Sequence, residues 1–148
     1  MTAKTQNITI EQGADFDEPF YVTDSSGSVV DISGASAALQ IRPAVGDASL
    51  LITLTTAEGG GLTIDGATGK ITPFISEDTT TDMAPGLYVY DLKMLTAEGY
   101  TRRTHQGNAL VSAEITTIEI PVNPASTVGA EDGGSILLED GSQILTED

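Results

Sequence analysis

The stretch Pro85-Gly86-Leu87-Tyr88-Val89-Tyr90-Asp91-Leu92-Lys93-Met94 decides the fold. After the Pro-Gly break it alternates for eight residues. Tyr88, Tyr90, Leu92 and Met94 fall on one face of a β-strand, and Leu87, Val89, Asp91 and Lys93 on the other. The first face carries two of the four tyrosines and one of the three methionines of a chain without Trp. It is the natural centre of a core.

Working outward, the flanking residues read as further strands. Asn7 to Ile10 alternates with Ile8 and Ile10 inward. Phe16, Phe20 and Val22 share a face, with Pro19 marking an edge or a bulge. Asp24-Ser25-Ser26-Gly27 is a turn, and Val29 to Ile32 a short extended piece. Ala37, Leu39 and Ile41 form a third core strand stopped by Pro43, and Leu50, Ile52 and Leu54 a fourth. Gly59-Gly60-Gly61 is a flexible tip, and Leu62 to Ile75 a hairpin turning at Asp65 to Gly69. Ser76 to Met83 is the sole helix candidate, with Ser76 as its cap. Beyond the organising strand, Tyr100 to Thr104 returns as its partner, and Gly107-Asn108 marks a bulge or bend. Leu110 to Ile115 and Thr117 to Val122 supply one or two last strands. The expectation is an all-β, immunoglobulin-like antiparallel β-sandwich over residues 1–123.

Residues 124–148 form a linker and a strand-forming acidic arm. Ile136-Leu137-Leu138-Glu139-Asp140 nearly repeats as Ile144-Leu145-Thr146-Glu147-Asp148, with the turn signal Asp140-Gly141-Ser142 between. A lone hairpin is marginal in water, and an uncovered Ile/Leu edge invites aggregation. Ile136, Leu137, Leu138, Ile144 and Leu145 therefore either fold back on the sandwich edge or are buried by a neighbouring copy; the neighbour is favoured, which makes them the expected assembly contacts. Arg102 and Arg103, the single dense basic spot, point to opposite faces of a strand. One is placed to pair with Asp91 or Glu98, the other to meet an acidic tail from a neighbour.

Composition narrows the function classes. With 22 acids against six bases the net charge is −16, a field that repels nucleic acid and anionic membranes. There is no cysteine, so neither disulfides nor thiolate metal sites are available. A domain of this size without any disulfide favours an intracellular or virion setting; the N-terminal residues lack an apolar signal-peptide core and no run approaches the length of a membrane span. Candidate chemistry is sparse. His105 is the only histidine, reads as a solvated or hydrogen-bonded edge residue, and cannot make a zinc site alone. Asp15-Asp17-Glu18 and Glu77-Asp78-Asp82 lack calcium-loop spacing, and Gly59-Gly60-Gly61 lacks the Lys and Ser/Thr of a phosphate loop. Without Trp, the tyrosines read as core residues rather than a sugar platform. No catalytic residue and no cofactor is expected.

The order of these features resembles small bacteriophage virion proteins with an immunoglobulin-like sandwich, such as the N-terminal domains of baseplate upper proteins and tail or neck accessory proteins. The resemblance rests on Gln12 to Phe16 with Phe20-Tyr21-Val22, on Gly27 to Ala35, and on Leu39-Gln40-Ile41-Arg42. It continues through Gly69-Lys70-Ile71, Pro85-Gly86 with Tyr88 to Leu92, and Gly107 before Glu114-Ile115-Thr116. It implies a non-enzymatic structural protein of the virion, in the tail, neck, collar or baseplate. Such a protein assembles as a homo-oligomer and docks on other virion structural proteins, with no nucleic-acid or membrane partner. The other readings are a carbohydrate-binding or adhesion module and a capsid decoration protein.

Overall fold

The computed structural model describes residues 3–118, 120 and 121 of the chain. One compact unit spans Met1–Thr116 and a second begins at Thr117. In the first unit the strands are β1 (Lys4–Thr5), β2 (Ile8–Glu11), β3 (Phe20–Tyr21), β4 (Ser36–Arg42), β5 (Ile52–Thr55), β6 (Leu62–Asp65), β7 (Lys70–Pro73), β8 (Gly86–Leu95) and β9 (Thr101–Ser112). A single-turn 3-10 helix (Gly66–Thr68) joins β6 to β7, and α1 (Glu77–Thr81) precedes β8. The all-β sandwich expected from the alternation is the fold observed. Its large sheet runs β1/β2-β9-β8-β4-β5 and its small sheet β3-β7-β6.

The organising strand is β8, at the centre of the large sheet between β9 and β4. Its alternation is read out directly: Tyr90, Leu92 and Met94 are buried, while Leu87, Lys93 and Leu95 are exposed. Tyr88, also assigned inward, is only half-buried and donates its hydroxyl hydrogen to the Ala84 carbonyl at 2.7 Å. Against this face stand Ile8, Ile10, Leu39, Ile41, Ala109 and Val111 from the same sheet and Phe20, Leu62 and Ile71 from the small one. Phe20 stacks at 5.8 Å from Tyr90 and 5.0 Å from His105, ring centre to ring centre, tying the sheets together.

Four expectations are corrected. First, the sheet is not wholly antiparallel, because β1 and β2 both pair parallel with β9. Second, Gly107-Asn108 marks no bulge or bend: β9 runs from Thr101 to Ser112 and its pairing with β8 is regular at these two residues. The glycine is required there because the chain swings close at Gln6-Asn7, between β1 and β2. A Cβ on Gly107 would lie 2.6 Å from the Gln6 carbonyl oxygen. Third, the register irregularity falls opposite Leu92/Lys93: Leu92 faces His105 and Lys93 faces Arg103, leaving Thr104 as the extra residue. Adjacent Thr104 and His105 are consequently both buried. Fourth, among the described residues after Ser112 there is no strand. β9 is paired on one side by β2 as far as Ser112 and on the other by β8 as far as Val111, so it offers no free edge to a further strand.

The helix also differs in its cap. Ser76 makes no side-chain cap bond; instead the Asp15 carboxylate accepts the Glu77 backbone N–H at 2.7 Å. The preceding residues of the Gln12–Phe16 segment fasten the same helix. Gln12 Nε2 donates to the Met83 carbonyl at 2.9 Å, and the Thr80 hydroxyl donates to the Ala14 carbonyl at 2.9 Å. That segment is therefore a latch between β2 and α1, which explains its composition without any ligand.

Candidate functional site

The outward residues of β8 align with those of its neighbours into rows across the large sheet. Leu110 stands beside Leu87, and Asn108 beside Val89 and Arg42. Next come Gln106, Asp91, Gln40 and Thr53, then Arg103, Lys93 and Ala38. The loop after β4, through Ala44, Val45 and Gly46, overhangs the middle rows and makes a groove of about 460 Å³. Its floor is Val89, its flanks Arg42, Gln40, Asp91, Arg103, Gln106 and Asn108. Leu87 and Leu110, 64% and 43% exposed, continue it as an apolar shelf.

The charge on these strands is opposite to that of the molecule. Lys4, Arg42, Lys93, Arg102 and Arg103 are five of the six bases, and the strands of the large sheet hold only two acids, Glu11 and Asp91. Five positive against two negative leaves +3 on a sheet belonging to a chain of −16. Arg103 and Asp91 form the ion pair found among the described residues, at 3.9 Å and largely exposed. At that exposure it adds little stability. Arg42 donates to neutral acceptors: the Asp47 carbonyl at 2.9 Å and Gln40 Oε1 at 2.7 Å. The second NH2 hydrogen and the Nε hydrogen make no bond within the described residues, so the guanidinium is held in place with donors in reserve.

Of the residues singled out from sequence, Arg102 and Arg103 do point to opposite faces. Arg103 pairs with Asp91 as one of the two partners foreseen, while Arg102 lies over the Tyr100 ring at 5.2 Å. Ile136, Leu137, Leu138, Ile144 and Leu145 lie outside the described residues. Arg42 was not singled out. Its signal was the Leu39-Gln40-Ile41-Arg42 alternation, which puts Gln40 and Arg42 outward but does not say which residues lie beside them.

His105 is not an edge residue. It is 1% exposed, with Nδ1 3.0 Å from the Thr104 hydroxyl oxygen and no hydrogen bond at Nε2. Burial first, then the Lys4 charge, lower its pKa from 6.5 to about 4, against an opposing pull from the Tyr21 backbone. It is therefore neutral at physiological pH and walled off from any substrate. Tyr90 is held as a neutral phenol chiefly by burial and secondarily by the Glu18 charge, and it donates to the Gln6 carbonyl. Among the described residues no three His, Asp or Glu side chains converge as metal ligands. The exposed aromatics do not converge either. Tyr21 and Phe74 stand at opposite ends of the small sheet, and Tyr100 adjoins the turn between β8 and β9.

No protein-family model and no curated protein matches the chain. Among solved structures it is similar to CopC from Methylosinus trichosporium OB3b. That match has 15% identity, covers 66% of this chain and 98% of that one, and has a TM-score of 0.36, too distant to bear on function.

Proposed function

We propose that this chain is a non-catalytic structural module of a bacteriophage virion, a tail, neck, collar or baseplate accessory protein that assembles in several copies and docks on other virion proteins. The observation that supports assembly is the outer face of the large sheet. A sheet face meant only for solvent has no need of an apolar shelf of Leu87 and Leu110 beside a guanidinium, that of Arg42, held by Gln40 and the Asp47 carbonyl. The strongly acidic remainder keeps copies apart except where this face finds its complement. The virion setting rests on the ordered motifs of the sequence.

Two measurements test the two halves of the reading. Light scattering on the full chain is expected to give a multimer whose mass falls on dilution; a monomer at every concentration overturns assembly. Sedimentation of the purified protein with phage particles lacking it is expected to place it in the particle fraction. Failure to co-sediment with tails, baseplates or heads removes the virion setting and leaves the assembly intact.

A further inference from the structure

The rows of the large sheet have a polarity that restricts what can lie on them. The Leu87–Leu110 row is apolar, and the next row along β8 carries Arg42 beside Val89. Adjacent outward rows are two residues apart, about 7 Å. An extended segment running the same way complements them if an apolar side chain is followed two residues later by a carboxylate. Both then project to one side, one onto the leucines and the other onto the guanidinium.

Outside the described residues that pattern falls in the near-repeat, as Leu137-Leu138-Glu139 and, eight residues on, Leu145-Thr146-Glu147, with Leu138-Glu139-Asp140 overlapping the first. Six acids and no Lys or Arg occur after residue 121. We propose that the outer groove of the large sheet, from the Leu87–Leu110 shelf to Arg42, receives the acidic C-terminal segment of a second copy of this chain, with Leu137 or Leu145 on the shelf and Glu139 or Glu147 on Arg42. The inference deepens the multi-copy reading above and rests on it. On this outer face Arg42, Lys93 and Arg103 stand against Asp91 and Glu11, so it is net positive within an acidic molecule; it and a purely acidic segment attract each other between copies, while the remaining acidic surfaces repel. Arg42 is better suited to the task than Arg103, whose charge is already shared with Asp91.

The test uses the full chain and reads its mass by light scattering across a dilution series in low and moderate salt. Arg42→Glu is expected to shift the dissociation midpoint at least about tenfold upward, and so is the pair Glu139→Arg with Glu147→Arg. Combining all three substitutions in one chain is expected to restore most of the wild-type midpoint. That restoration cannot come from a chain that fails to fold, and circular dichroism of each variant records the fold directly. A wild-type midpoint in Arg42→Glu, or no restoration in the triple variant, overturns the groove assignment while multi-copy assembly stands. A wild-type chain that is monomeric throughout overturns both.

Discussion

The two faces of the large sheet are made by the same strands and obey opposite rules. Inward, β8 presents Tyr90, Leu92 and Met94 to a core in which Leu92 and Ile41 are fully buried. Outward, the intervening residues Val89, Asp91 and Lys93 form rows of mixed chemistry with Arg42, Gln106 and Arg103. The inner face is specified by volume, because a close-packed interior penalises any gap or excess. The outer face is specified by charge and by the order of its rows. Neighbouring residues of one strand thus serve packing on one side and present mixed charge and apolar rows on the other.

The sharpest way to break the comparison is to truncate leucines on both faces. Leu92→Ala is expected to cost about 2–5 kcal/mol, since it leaves a cavity at a fully buried site. Leu87→Ala should change stability by no more than about 0.5 kcal/mol. Urea unfolding at neutral pH measures both. An equal loss from the two substitutions would mean that the outer leucine is already covered in the isolated chain.

Acid should act on the inner face before it reaches the carboxylates. His105 has a folded-state pKa below its unfolded value, so the unfolded chain binds the proton first. Its contribution is complete above pH 6.5 and lost as pH falls from there through about 4. The interval corresponds to roughly 3 kcal/mol. Asp24 and Asp31 behave differently: hydrogen bonds from Ser26 and Ser33 lower their pKa values, so they weaken the fold only at still lower pH. His105→Phe should flatten the unfolding free energy between pH 7 and 4.5. An unchanged slope would show that the imidazole is not the group being titrated.

Gly107 tests the seam where the two faces meet the edge. Gly107→Ala forces a methyl against the Gln6 carbonyl and the Asn7 side chain and should cost about 1–3 kcal/mol by thermal unfolding. The smallest effect belongs to the outer face. Arg103→Ala removes an exposed pair and is expected to alter stability by less than about 1 kcal/mol, with the melting temperature nearly unmoved. A larger loss would mean that Arg103 braces the sheet as well as lining the groove.

Most of the sandwich was legible because alternation is a one-dimensional signal. Ile8 and Ile10, Leu39 and Ile41, and Leu92 and Met94 all face the side their spacing assigns. Register was not legible. Nothing local in Thr101 to Ser112 reveals that Thr104 is an extra residue, yet that insertion sets Arg102 and Arg103 relative to Asp91 and buries Thr104 beside His105. A lone histidine flanked by arginines and a glutamine looks exposed by composition; only the small sheet packed over β9, with Phe20 5.0 Å from the imidazole ring, puts it inside. The Asp15 cap was missed for the same reason, since its partner is 62 residues away. The groove shared that fate. Gln40 and Arg42 were assignable to an outer face, but their neighbours come from strands about 50 to 65 residues downstream, and pairing over such distances carries no short-range signature.

The parallel pairing of the first strands with β9 has a consequence for the timing of synthesis. Ile8 and Ile10 leave the ribosome about a hundred residues ahead of their partners Ala109 and Val111. At a translation rate of about 5–20 residues per second, the opening strand waits about 5–20 s with two isoleucines uncovered. The nascent chain must hold that strand in reserve while the inner strands assemble, and seat it last. Conditions that slow elongation between residues 12 and 112 should therefore lower the yield of folded protein more than they slow its production.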